Sequence, residues 1–249
     1  MAQHRRRPHA PAALVLVLVL ATACGPAEEA GTASKTAPAP SPSVSATATA
    51  NGVARLRAGQ ILRRARKATA AARYLRMRGR IEDGKDKIAI DFRYAGKTEA
   101  TGWFQTGKQR VEITRIGRDI YVKGNDPFWK SIGGKAAVQL LSGKYLKTTT
   151  KTPDFKDIGI FTERTGLLNE ALKAPGTWKK GETGTAGGTP AVSLTRAPGE
   201  TIQVATQGEP YVLALTGGPG NGVEYLAYEE PVDVRRPPAG TVVDGDAFK

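Results

Sequence analysis

The strongest constraint on how this chain folds is an alternation of apolar and polar residues, broken only by short turns. Ile88, Ile90, Phe92 and Tyr94 alternate with Lys87, Ala89, Asp91 and Arg93. Successive side chains of a strand point to opposite faces, so this spacing buries one face and wets the other. Asp83-Gly84 separates Tyr74–Glu82 from Asp86–Tyr94 and signals a hairpin. Further strands are predicted at Thr98–Gln105, Gln109–Ile116 and Asp119–Lys123, turned at Gly107-Lys108 and Gly117-Arg118. Turns this short leave no room for helical crossovers, so the strands must pair antiparallel.

A helix is predicted before this meander, from Val53 to about Ala72. Leu56, Ile61, Ala65, Ala68 and Ala72 give it one modest apolar stripe, and arginines and lysines fill much of the rest. Asn125-Asp126-Pro127 reads as a helix start, and Tyr145-Leu146-Lys147 as a short extended piece. A second helix is expected over Thr162–Lys173, capped by Thr162 or Thr165. Strands return at Gly176–Gly184, Thr189–Arg196, Thr201–Thr206, Tyr211–Thr216 and Val223–Tyr228, and the tail after Pro231 reads as irregular. The glycine-rich Gly217–Gly222 lacks the Gly-Lys-Ser/Thr ending of a phosphate loop and reads as a wide hairpin turn. About 10–11 antiparallel strands with helical segments predict an α+β domain over 53–249: one large curved sheet, a barrel or a sandwich.

Upstream of the domain, Arg5, Arg6 and Arg7 precede an apolar run from about Ala12 to Ala21, then small residues and the chain's single cysteine, Cys24. This is the pattern of an export signal over 1–23. The apolar run is about half the length a spanning helix needs. Ala21-Thr22-Ala23-Cys24-Gly25 resembles a bacterial lipobox, whose cysteine is diacylated and becomes the first residue after cleavage. The departure is Ala21, where leucine is usual. Cys24 is therefore the predicted lipidation site, and the lipid-anchored chain is expected on the outer face of the cytoplasmic membrane. Residues 24–52 are rich in Ala, Pro, Ser and Thr and poor in large apolar residues, so they are expected to be a disordered tether.

Composition removes most chemistries. Both histidines, His4 and His9, fall in the leader. The remainder has no residues for a Cys/His zinc site, a Ser-His-Asp triad or a Cys-His pair. No metal, cofactor or catalytic residue is assigned. The formal charge is +14, and only three of the 37 basic residues are in the leader. With export, this excess points to an anionic membrane or wall polymer rather than to nucleic acid. Paired carboxylates remain as the one enzymatic option, Asp154 with Asp157 or Glu229 with Glu230, both in turn-like sequence. Trp103, Trp129 and Trp178 either line a hollow or belong to an ordinary core.

The lipobox and tether, the N-terminal helix, and the phrases DIYVKGNDPFWK (Asp119–Lys130), GEPYVLALTGG (Gly208–Gly218) and VEYLAYEEPVDVRRPPAG (Val223–Gly240) resemble the actinobacterial LppX/LprG-type lipoproteins. More distantly, the chain is similar to the LolA/LolB carriers. The resemblance implies an unclosed antiparallel half-barrel with helices covering the concave face. It also implies a non-catalytic protein that binds acylated lipid, a phospholipid or glycolipid, in an apolar cavity, for trafficking or sensing. The cavity-lining residues are unassigned. A membrane transporter is a possible partner, and the protein is expected to be a monomer. The alternative is a surface scaffold or sensory lipoprotein with a filled core that binds a protein or cell-wall partner.

Overall fold

The computed structural model describes residues 49–149, 152, 157–197 and 199–245. The chain divides into two units, Met1–Ser45 and Ala46–Lys249, and all described residues belong to the second. The leader, Cys24 and most of the tether lie outside the described residues.

The first helix is α1 (Ala58–Ala71), entered through a 3-10 turn at Val53–Arg55. The first meander follows as β1 (Tyr74–Asp83), β2 (Asp86–Ala95), β3 (Glu99–Thr106), β4 (Gln109–Ile116) and β5 (Asp119–Gly124). Then come α2 (Asp126–Leu141), β6 (Tyr145–Thr148), a 3-10 segment at Asp157–Thr162 and α3 (Gly166–Lys173). The second meander is β7 (Lys179–Ala186), β8 (Thr189–Arg196), β9 (Glu200–Ala205), β10 (Val212–Gly218) and β11 (Asn221–Leu226), and β12 (Val242–Asp244) ends the described chain.

All twelve strands form one unclosed sheet in the order β12-β6-β5-β4-β3-β2-β1-β11-β10-β9-β8-β7. The architecture is α+β, with three α-helices among the described residues. Each meander is built from neighbouring hairpins. The two meanders meet where β1 pairs with β11, Arg76 opposite Leu226 and Arg80 opposite Gly222. In the sheet, two details differ from the sequence reading. The sheet has twelve strands rather than 10–11, and it is not wholly antiparallel. Val242-Val243, in the tail read as irregular, pair parallel with Tyr145-Leu146 of β6. Three residues between prolines and a polar end are too few to show a period, so only the open edge of β6 gives them strand geometry.

The ordered chain also reaches further back than 53. Ala50 bridges Gln207, and the Asn51 side chain donates to the Ala205 carbonyl at 3.0 Å.

The register sorts the sheet into two faces. Leu75, Tyr94, Ala100, Arg115, Ile120 and Thr148 form one row across it. Met77, Phe92, Gly102, Ile113, Val122 and Leu146 form the next. These rows are apolar except at the Arg115 end, and the helical segments pack on them. The 3-10 segment contacts β2, β3 and β4, α2 contacts β4 and β5, and α1 contacts β10. The opposite face is polar, with Arg76 bonded to Asp91 and Arg78 to Glu224. The Arg76 guanidinium holds the Asp91 carboxyl below its usual range.

Gly102 is needed at its place in the second row, since a Cβ there would lie 2.6 Å from the Phe92 ring. The outer strand β7 is mostly exposed and carries Lys179, Lys180, Glu182 and the glycines Gly181 and Gly184.

The junction of β5 and α2 hangs on Asn125. Its Oδ1 accepts from the Phe128 amide, capping α2, and from the Arg110 amide, while its Nδ2 donates to the Lys108 carbonyl at 2.8 Å. Asn125→Ala removes the cap and two further bonds, so the expected loss exceeds the ~1 kcal/mol of an ordinary cap. The denaturant midpoint of the variant measures it, with the m-value unchanged.

Candidate functional site

The apolar face and its helical cover are the one place where this domain gathers large apolar mass away from water. Phe161, from the 3-10 segment, enters between β2 and β3. Its ring stacks on Phe92 at 5.9 Å and on Phe104 at 5.5 Å. Beside it, α3 sets Leu168 into the core, and α1 contributes Ile61 and Ala65. On the far side α2 buries Phe128 and Trp129, whose rings meet edge to face at 4.9 Å. The interior is closely packed. Ile61, Leu75, Met77, Phe92, Ile113, Ile120, Trp129, Leu168, Leu194 and Ile202 are fully buried, so none of them borders a water-sized space.

Polar contacts hold the cover at a few points. The Tyr94 hydroxyl, at the end of β2, donates to the Phe161 carbonyl at 2.8 Å. Arg115 donates from Nη1 to Thr162 Oγ1 at 3.4 Å and lies 4.0 Å from Glu163. Over α1, Thr69 Oγ1 accepts from the Val212 amide at 3.0 Å. The Tyr228 hydroxyl donates to the Val212 carbonyl at 2.6 Å, and its ring stacks on Tyr211 at 3.9 Å.

Among the described residues three buried polar atoms lack a hydrogen-bond partner: Trp129 Nε1 on α2, Asn169 Oδ1 on α3 and the Tyr225 hydroxyl, which lies by the Leu168 backbone without bonding geometry. Leaving such groups unsatisfied is costly. The cover also changes direction within α2, where Gly133 and Gly134 leave the helical conformation. Ile132 and Leu140, on either side of that break, are exposed large apolar residues.

The candidate residues named from sequence scatter. Trp129 is in the core, Trp103 lies on the polar face with Arg110 over its ring at 4.0 Å, and Trp178 stacks with Arg196 at 4.6 Å. Asp154 and the Asp157 side chain lie outside the described residues. Glu229 and Glu230 are both exposed. Glu229 has a left-handed backbone (φ +62°), and both its oxygens accept from the Arg73 amide while Oε1 also accepts from the Tyr211 hydroxyl. It pins the segment after β11 to the start of β1. Among the described residues no three His, Cys, Asp or Glu side chains are grouped to hold a metal, and no helix is long and apolar enough to cross a membrane.

Two adjoining grooves mark the polar face. One, of about 640 Å³, is lined by Arg76, Arg78, Arg80, Asp91 and Trp103; the other, of about 590 Å³, by Gln203, Tyr211, Glu224 and Tyr228. Sequence reading singled out none of the residues that pin the cover. Tyr94 is marked only as an apolar position of an alternating strand and Phe161 is not marked at all, and nothing local separates a buried arginine from a solvated one in so basic a chain.

No family model matches this chain, and no curated protein matches it. Among solved structures it is similar to a chain of the Pseudomonas aeruginosa MucA/MucB complex, at 11% identity and a TM-score of 0.31, covering 67% of this chain and 54% of that one. The chain thus spans about half the length of that neighbour, and a likeness this slight carries no argument about function.

The tyrosines at the α1 end give this region a pH signature. Burial, helped by the Glu229 carboxylate, pushes Tyr211 from 10.0 up to about 12, and burial raises Tyr94, Tyr225 and Tyr228 as well. A raised folded pKa means the fold prefers the neutral phenol. The stability this contributes is intact below pH 10 and is lost as pH climbs through 12. Melting temperature is expected to fall on this alkaline limb, and tyrosinate absorbance to show Tyr211 ionising near 12.

Proposed function

We propose that this chain is a membrane-anchored, extracytoplasmic lipoprotein, tethered through Cys24, that binds the acyl chains of a phospholipid or glycolipid for trafficking or sensing. In this reading the sheet is a half-barrel, the apolar face is its concave side, and the helical segments are a cover that lifts. The observation that supports it best is the build of that cover. It consists of short separate pieces, held to the sheet at a few polar points, with unpartnered polar atoms on α2 and α3. A cover so built opens at less cost than a second sheet would. A lipid chain gains ~0.8 kcal/mol for each methylene it buries, which is a large total for one long chain. No nucleophile is required, so the protein acts without catalysis.

A second reading has its own support. The full burial of residues such as Ile61, Met77 and Trp129 fits a filled core. The protein is then a surface scaffold or sensory lipoprotein whose partner, a protein or wall polymer, meets the outer surface.

Native mass spectrometry of the full chain, purified from a lipid-containing host and released from micelles, separates the two. Lipid retention predicts discrete added masses that vanish on organic extraction. A single bare mass after incubation with phosphatidylglycerol vesicles overturns the acyl reading in favour of the filled core. The anchor has a separate test: labelled palmitate enters the chain, and Cys24→Ala abolishes incorporation. Label persisting in that variant disproves the assignment of Cys24.

A further inference from the structure

Large apolar side chains left in water are gathered on one element. Among the described residues two are exposed, Ile132 at 49% and Leu140 at 40%, and both belong to α2. Single exposed apolar residues are ordinary on a protein surface, but two on one element and none on the others call for a cause.

The shape of α2 shows where they stand. A straight helix would set Asp126 and Ser142 about 24 Å apart. Instead the Ser142 hydroxyl donates to Asp126 Oδ1 at 2.7 Å. The chain therefore doubles back at Gly133-Gly134, where Gly134 takes a φ of +64°. The element is a helical hairpin closed at its base by this bond. Phe128, Trp129 and Leu141, toward the base, are buried. Every residue from Lys130 to Ala136 is exposed, and Ile132 sits at the turn itself.

The charge around this tip has one sign. From Pro127 to Thr149 the chain carries four lysines and no Asp or Glu. Lys147 pairs with Asp244, but Lys130 and Lys135 are exposed and meet no carboxylate among the described residues. Lys130 precedes the turn and Lys135 follows it, and both line one groove of about 510 Å³ with Pro127 and Val138. On the polar face, by contrast, Arg76 and Arg78 are answered by Asp91 and Glu224. An apolar tip flanked by unpaired ammonium groups suits a layer of anionic lipid headgroups. There an isoleucine enters the acyl boundary, and lysines lay their methylene stems along it while their charges meet phosphates. A second copy of this chain would instead bring the same positive charges face to face.

We infer that the α2 tip, Lys130–Ala136, is a membrane-contact site that seats Ile132 in the interface of an anionic bilayer, with Lys130 and Lys135 on lipid phosphates. This contact is separate from the anchor at Cys24, and it does not depend on acyl chains binding to the apolar face.

The test places an environment-sensitive fluorophore on one cysteine in the full chain carrying Cys24→Ser. The probe goes on Ile132→Cys or, as control, on Lys97→Cys, in the turn between β2 and β3 at the opposite end of the strands from Asn125. Both positions are exposed, so neither label disturbs the core. Each chain is offered vesicles of phosphatidylglycerol or of phosphatidylcholine, with and without brominated acyl chains. The readout is local, whatever else holds the chain to the vesicle. On phosphatidylglycerol the probe at 132 is expected to shift to the blue and to be quenched by brominated lipid, and the probe at 97 to do neither. Lys130→Gln with Lys135→Gln should cut the ratio of inserted to free tip about 25-fold, about fivefold for each lysine near an anionic surface. A probe at 132 that stays in water on phosphatidylglycerol overturns the inference, as does an equal shift on phosphatidylcholine or at position 97. A shift that needs no lipid and grows with protein concentration gives the tip to a second copy and overturns it too. Lipid retained in native mass spectra while the tip stays in water removes this inference alone. An inserting tip on a chain that retains no lipid removes the acyl reading alone.

Discussion

The pairing of β1 with β11 is the contact on which everything else in this domain depends. Each meander alone is a five- or six-stranded ribbon with one apolar face and nothing large enough to cover it. Joined along Arg76–Arg80 and Gly222–Leu226, they make one surface wide enough for three helices to share. The contact is close. Gly79 faces Gly222 and Val223, where a Cβ on Gly79 would lie 2.1 Å from the Gly222 carbonyl oxygen. On one side of β1 the pair Met77–Tyr225 joins the core, and on the other Arg78–Glu224 joins the polar face. The seam therefore carries both halves of the amphipathic pattern across.

Much of the sheet was legible from sequence because its signals are local. Ile88, Ile90, Phe92 and Tyr94 show their period within one strand, and Gly107-Lys108 and Gly117-Arg118 sit at the turns. Asn125 before Asp126-Pro127 announces α2, and the cap bond to Phe128 is there. What failed to show was non-local. Val242-Val243 become a strand only because β6, far earlier in the chain, offers an edge, and the partner of β1 is fixed by surfaces no window of sequence contains. The site was the least legible part. Arg115, Arg164 and Arg196 look like any surface arginines in a chain with 37 basic residues, yet two of them are buried.

The helical cover and the sheet differ in how they are held. The sheet is bound by continuous ladders, which open only with the whole fold. The cover is bound by packing around Phe161 and by scattered hydrogen bonds from Tyr94, Arg115 and Thr69. Local opening in proteins follows this division, with elements that have few backbone ties separating first. The break at Gly133-Gly134 adds a joint within the cover itself.

The unclosed sheet leaves two outer strands, β7 and β12, and their make-up decides how copies of the chain behave when crowded. A bare strand edge is a template for another chain's backbone. Here β12 is three residues long, and β7 sets Lys179 and Lys180 beside glycines that weaken any added ladder. Like charges on two approaching β7 edges repel, and short ladders gain little. Edges guarded in this way keep encounters between copies from growing into fibres.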